Sequence, residues 1–185
     1  MSGEPRPRTG AARPSATDPR PGLATRGVRA TRVVPLPADE AWRLVTDVRN
    51  HERWIPQTRI DAPADLPVGA AFVAVSGPGA TSGGVGVVDR MVVERSDPPQ
   101  PAHGSTPATP GVAVYRKVGP VLLGTAEVHV RPLGPGHSAL TWVEDVHVRG
   151  LPAPLTRPFV GLFLRGMLDL ALRRITAELA PTSRH

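Results

Sequence analysis

The chain has no cysteine, seven aromatic residues and no long uninterrupted apolar run among its 185 residues. Without thiols there are no disulfides and no Cys-ligated zinc or iron–sulfur site, which accords with a reducing, cytoplasmic setting. A membrane-spanning helix needs about 20 consecutive apolar residues, and none are present. The N-terminus also lacks the apolar segment of roughly 7–15 residues that marks a secretory signal. Seven aromatics are too few for planar stacking to dominate ligand capture. The glycine-rich stretch Ser76 to Gly86 fits neither G-x-G-x-x-G nor the P-loop, since no lysine follows and a strand comes next, so it reads as a hairpin tip or cavity lid. No G-x-S-x-G, H-x-H or H-E-x-x-H pattern occurs, so neither a catalytic triad nor a metal site finds support, and no cofactor is implied.

Charge is unevenly spread. Residues 1–32 hold Arg6, Arg8, Arg13, Arg20, Arg26, Arg29 and Arg32 against Glu4 and Asp18, so this stretch supplies most of the net +6. Residues 1–25 are rich in Pro, Arg, Ala, Ser and Thr, with Leu23 their one large aliphatic residue after Met1. Such a segment buries too little surface to offset its ordering entropy and reads as a disordered basic arm. A basic arm can touch nucleic acid or anionic lipid, but a solvated leader is the plainer reading, and nucleic acid is not the expected partner.

The folded domain is expected over 26–181. Residues 27–34 read as a first strand. Pro37 before Ala38-Asp39-Glu40 places proline and acids where a helix start favours them, and Trp42, Val45 and Val48 follow at helical spacing. A further short turn around Trp54-Ile55 is stopped by Pro56. Strands then follow at about 57–61, 70–76, 85–95, 111–118, 121–131 and 138–148, punctuated by Gly- and Pro-containing turns. Short links between seven strands imply antiparallel pairing, because parallel neighbours need crossovers of about a dozen residues. Residues 97–110 form a proline-rich insertion, read as an exposed mobile loop. The last element is a long helix from Leu155 to Leu179. Val160, Leu164, Met167, Ala171 and Ile175 share one face, and Phe159, Phe163, Leu168 and Leu172 widen it. Arg165, Asp169 and Arg173 sit opposite at pairing distance, with Leu162 exposed on that polar side as a hint of a contact.

The order and spacing of certain stretches resemble the START-like, or SRPBCC, superfamily, in its polyketide cyclase/dehydrase and lipid-transport branch. These are Val34-Pro35-Leu36-Pro37-Ala38-Asp39-Glu40-Ala41-Trp42, Val45-Thr46-Asp47 with Trp54-Ile55-Pro56, Val92 to Pro99, and Ala139-Leu140-Thr141-Trp142 before the final helix. The resemblance covers 27–180. It implies an α+β helix-grip fold: a seven-stranded antiparallel sheet wrapped around the long C-terminal helix, with two short helices after strand 1 and a deep cavity between.

In that frame the apolar walls of the cavity are expected from Trp54, Ile55, Phe72, Val87, Met91, Val114, Trp142, Phe163, Leu164 and Met167. Strand alternation supplies polar candidates. Asp89 shares a face with Val85, Val87, Met91 and Val93; Arg116 with Val112, Val114 and Val118; Glu144 with Leu140 and Trp142. Asp89, Arg116 and Glu144 are thus the catalytic candidates, since a carboxylate raised in pKa by burial can act as acid or base. His129 and His147 could approach each other on adjacent strands, although Thr125, Glu127, His129 and Arg131 form a polar row that reads as the solvated face. His51, beside Trp54, could lie near the cavity entrance, but a surface histidine at a helix end is the plainer reading. The function that follows is binding of a small hydrophobic ligand (lipid, isoprenoid or polyketide-like), with a polyketide aromatase/cyclase as the alternative. Buried polar groups in the cavity would favour the enzyme, and a wholly apolar lining the carrier. Oligomeric state is left open by the sequence.

Overall fold

A computed structural model describes residues 27–180. The basic arm of 1–25 lies outside the described residues. Seven strands form one antiparallel sheet: β1 (Val28–Val34), β2 (Thr58–Asp61), β3 (Ala71–Ser76), β4 (Val87–Asp97), β5 (Gly111–Pro120), β6 (Leu122–Gly134) and β7 (His137–Val148). Their spatial order is β1-β7-β6-β5-β4-β3-β2, so the first and last strands pair and the meander runs from there to β2 at the far edge. The path from β1 to β2 passes through α1 (Ala38–Thr46), a single 3₁₀ turn (Val48–Asn50) and α2 (His51–Trp54). These are the two short helices. α3 (Ala153–Glu178) is the long one, gripped in the concave face of the sheet.

Each element has a local cause. α1 begins after Pro37, whose fixed φ suits a helix start, with Asp39 and Glu40 in the first turn; Ala38, Ala41, Trp42 and Val45 are its buried stripe. β4 runs two residues beyond its expected end because Ser96 and Asp97 pair with Ala113 and Val112. Irregularities at Arg90/Met91 and Val93/Arg95 interrupt that ladder and bend the sheet. The proline-rich insertion is exposed but not shapeless. Gln100 and Thr109 exchange backbone hydrogen bonds, as do His103 and Thr106. Between those four, proline removes donors, so the ladder is intermittent.

The core lies between the sheet and the C-terminal half of α3, where Leu168, Ala171, Leu172 and Ile175 are fully buried against Val34, Val128, Val130, Leu140 and neighbours. Asp169 does not pair along the helix with Arg165 or Arg173; it reaches Arg32 on β1 at 3.1 Å. The last turn is clasped to α2, where Trp54 Nε1 donates to Glu178 Oε2 at 2.8 Å and Arg53 lies 2.9 Å from Glu178 Oε1. The N-terminal half of α3 is different. Leu155, Phe159, Leu162 and Phe163 are exposed, and beneath them the interior opens.

Candidate functional site

That opening is a cavity of about 1000 Å³ between the first half of α3 and the inner faces of β3, β4, β5 and β7. Its walls are apolar. Ile55 enters from the end of α2, Phe72 from β3, Val87 and Met91 from β4, Trp142 from β7, and Phe163, Leu164 and Met167 from α3. Leu162, which the sequence placed on a polar face, borders the mouth with Phe159, and Gly77 and Pro78 of the glycine-rich hairpin reach its rim. Phe72 and Tyr115 pack edge to face, their rings 5.5 Å apart.

The inner end of this apolar chamber holds three charged groups. Lys117 Nζ donates to Asp89 Oδ2 at 2.5 Å and lies 3.4 Å from Glu144 Oε2, with Met91 Sδ at 3.7 Å. All three charged side chains are buried: Asp89 is 8 % exposed, Lys117 7 % and Glu144 4 %. They come from three strands, β4, β5 and β7. Lys117 faces Met91 across the β4–β5 ladder, so Asp89 is its diagonal neighbour. Glu144 lies beyond the intervening strand β6, which presents only Gly124 and Ala126 beside Lys117 and Glu144. Those small residues leave room for the lysine to cross. Gly124 is required there for a second reason: its φ is +128°, and a Cβ would sit 1.9 Å from the Asp145 carbonyl oxygen.

The electrostatics follow from burial. Desolvation pushes the Glu144 carboxyl up, and the Asp89 charge pushes the same way, against the pull of Lys117. Desolvation works against the Lys117 ammonium too, but Glu144 and Asp89 together outweigh it and hold the lysine above its ordinary range. Lys117 is therefore a fixed cation and not a nucleophile. Burial drives His51 down to about 4 and Tyr115 up to about 12, so both are neutral near pH 7. His51 Nε2 donates to the Val45 carbonyl at 2.8 Å, which leaves Nδ1 as the acceptor, and its ring packs 4.8 Å from that of Trp142. Among the described residues, Asp89 Oδ1, Glu144 Oε2 and Trp142 Nε1 are buried without a hydrogen-bond partner.

Three placements correct the sequence reading. Val114 and Arg116 lie on the outer face of β5, where Arg116 pairs with Glu94 at 2.5 Å, so neither borders the cavity. Tyr115 and Lys117 take the inner face instead. The stretch Val112–Val118 is apolar on both alternate sets, and periodicity alone could not choose between them. One signal was available: Lys117 is the one lysine among 22 basic residues, and it follows Arg116 directly, so one of two adjacent cations had to point inward. Trp54 is buried under α3 with its N–H committed to Glu178, outside the cavity wall. His51 is not a surface residue but part of the lining.

Other candidates carry less. His129 pairs with Glu127 at 2.9 Å on the outer face, while His147 lies opposite Leu123, so the two histidines do not converge. Among the described residues no group of three His, Asp or Glu is placed to hold a metal ion. A second cleft of about 400 Å³ is lined by Trp42, Arg43, Asp47, Arg49 and Asp65, but Arg43 pairs with Asp39 and Arg49 with Asp47. No helix among the described residues is long and apolar enough to cross a membrane.

With the cavity and its charged end in view, comparison with known proteins decides the family. Residues 25–180 match the family described as polyketide cyclase / dehydrase and lipid transport. The chain belongs to that family. No curated protein matches it in sequence. Among solved structures, the family's helix-grip fold recurs in a START superfamily protein from Mycobacterium smegmatis, with 19 % identity over 83 % of this chain and 99 % of that one (TM-score 0.56). It recurs in the Zhui aromatase/cyclase from Streptomyces sp. R1128, with 20 % identity, 86 % and 96 % coverage and TM-score 0.54. It is also found in the di-domain ARO/CYC BexL of the BE-7585A biosynthetic pathway, with 17 % identity and TM-score 0.56, covering 82 % of this chain but 45 % of that one. At these identities the likeness shows the fold, and membership of the family supports a hydrophobic-ligand or polyketide-cyclase role without deciding between them.

Proposed function

We propose that this member of the polyketide cyclase / dehydrase and lipid transport family captures a small hydrophobic molecule in the cavity under α3, with a polar end of the ligand at Asp89, Lys117 and Glu144. The observation that carries the reading is the pairing of an apolar chamber of about 1000 Å³ with one charged cluster at its inner end. Such a chamber buries most of a lipid- or polyketide-sized molecule, and a few convergent polar groups orient it. Ile55, Phe72, Val87, Met91, Trp142, Phe163, Leu164 and Met167 would supply the apolar contact. The cysteine-free composition supports a cytoplasmic setting.

A specific observation also favours the cyclase reading. Glu144 is raised by burial and so holds a proton more readily, while Asp89 offers a free carboxylate oxygen next to it. An acid beside a base is what aldol-type ring closure with loss of water requires: the base takes a proton from carbon or hydroxyl, and the acid protonates the departing oxygen. Lys117 would position both carboxylates without reacting.

The test is native mass spectrometry of the purified full chain, then denaturation and identification of what is released. A co-purified lipid, isoprenoid or polyketide supports the reading and supplies the substrate for turnover by wild type, Asp89→Ala and Glu144→Ala. Loss of turnover with retained binding in both variants would establish the enzyme. Retained binding without turnover in any form would leave a carrier. A clean unliganded mass that no hydrophobic additive alters would overturn both.

A further inference from the structure

The charge count at the inner end of the cavity constrains the ligand further. Of the residues lining the cavity, only His51, Asp89, Tyr115, Lys117 and Glu144 titrate, and His51 and Tyr115 are neutral near pH 7. The remaining three comprise two carboxyl groups and one ammonium, so the site is net negative with both carboxyls ionised and neutral with one of them protonated. The ammonium is already committed, with Asp89 at 2.5 Å and Glu144 at 3.4 Å. Glu144 Oε2 meets that ammonium at ion-pair distance, whereas Asp89 Oδ1 is buried with neither an ion-pair nor a hydrogen-bond partner.

Resting on the ligand-binding reading above, we infer that the cavity selects ligands whose buried end is an uncharged hydroxyl, enol or phenol, and rejects free carboxylic acids. Asp89 Oδ1 calls for a donor, because a buried acceptor left without one keeps the cost of its lost hydration. A hydroxyl group satisfies it on entry and brings no charge. A carboxylate adds negative charge to a site whose single ammonium is already shared by two carboxyl groups, offers no donor, and sheds its own hydration to do so. Specificity of this kind comes from rejecting the wrong head group. The apolar walls are indifferent to the head group. The specificity therefore resides in Asp89 and Glu144, and Lys117 acts by holding them in place.

The experiment compares dodecanol with dodecanoate on the full chain at pH 8, where dodecanoate is ionised. Binding is read by the change in tryptophan fluorescence, since of the three indoles Trp142 lines the cavity, and by native mass spectrometry. Dodecanol is expected to bind at least tenfold more tightly than dodecanoate. Glu144→Gln removes an ionisable carboxyl group and supplies a donor amide, and is expected to narrow that ratio at least tenfold, mainly by admitting dodecanoate. Asp89→Asn serves as a second variant and is expected to do the same, with circular dichroism confirming the fold of each. Equal binding of the two ligands by the wild type overturns the inference while leaving the ligand-binding reading standing. A wild-type preference that neither folded variant alters also overturns it, because the discrimination would then lie elsewhere. Binding of neither ligand overturns the ligand-binding reading and this inference with it.

Discussion

The two halves of α3 are built from the same kinds of residue and meet opposite surroundings. From Leu164 onward, Leu168, Ala171, Leu172 and Ile175 disappear into the core between β1, β7 and α2. Before it, Leu155, Phe159 and Phe163 stand open, Phe159 at 80 % and Phe163 at 71 % exposure. Apolarity is thus used for two purposes along one helix. In the second half it stabilises the fold; in the first it is held at the rim of a cavity, where it contributes to folding only weakly. An exposed apolar surface of this kind marks a place that something else covers. Phe159 and Phe163 border the cavity directly beneath, which is where the ligand proposed above would meet them.

The contrast can be broken most forcefully in the sealed half. Leu172→Ala removes a fully buried side chain and is expected to cost about 2–5 kcal/mol, read from the shift in urea unfolding midpoint. A cost under about 1 kcal/mol would mean that the second half of α3 is not the packed half. His51 provides a sharper test, because α2 serves both halves: Trp54 anchors the end of α3 while His51 borders the cavity. Burial holds His51 down at about 4, so the folded protein refuses a proton that the unfolded chain accepts near 6.5. This contribution is constant above pH 6.5 and is lost as pH falls from there toward 4, amounting to roughly 2–4 kcal/mol. Glu144, pushed up by burial, works in the opposite sense and gains from acid. Comparing wild type with His51→Gln, which keeps a donor for Val45 O, isolates the histidine. Unfolding midpoints at pH 7 and pH 4.5 should separate less in the variant, and equal separations would place the acid sensitivity elsewhere. The smallest stability change is expected in the open half. Phe163→Ser should leave the unfolding free energy within about 0.5 kcal/mol yet weaken dodecanol binding several-fold. A large loss of stability instead would show that the rim is part of the core.

Much of this was legible in the sequence because it depends on order and punctuation. Pro37 before two acids, Gly-Pro pairs between strands, and a long apolar terminal segment gave the elements and, through resemblance, the fold. Asp89 and Glu144 could be placed inward because each sits in a strand where one alternate set is clearly more apolar. β5 resisted the same logic. Val112, Ala113, Val114 and Tyr115 are all apolar, so parity had no anchor, and the inner face was assigned to Arg116 in place of Lys117. The bulge opposite Met91 adds a further offset that no periodicity encodes. His51 was misjudged because helix-end histidines are usually exposed, and its burial depends on β7 bringing Trp142 against it. The division of α3 into halves is likewise a property of where the sheet curves away, not of the helix.

α3 is fastened at both ends. Trp54 and Arg53 hold Glu178 in the last turn, while in the first turns Arg157 reaches Asp145 on β7 at 3.2 Å and the buried Thr156 hydroxyl accepts from the Val148 N–H. A rod pinned at its two ends and packed along its second half resists swinging as a rigid lid. The width of the opening is therefore set by the side chains that border it, Phe159, Leu162 and Phe163 on the helix with Pro78 on the hairpin opposite.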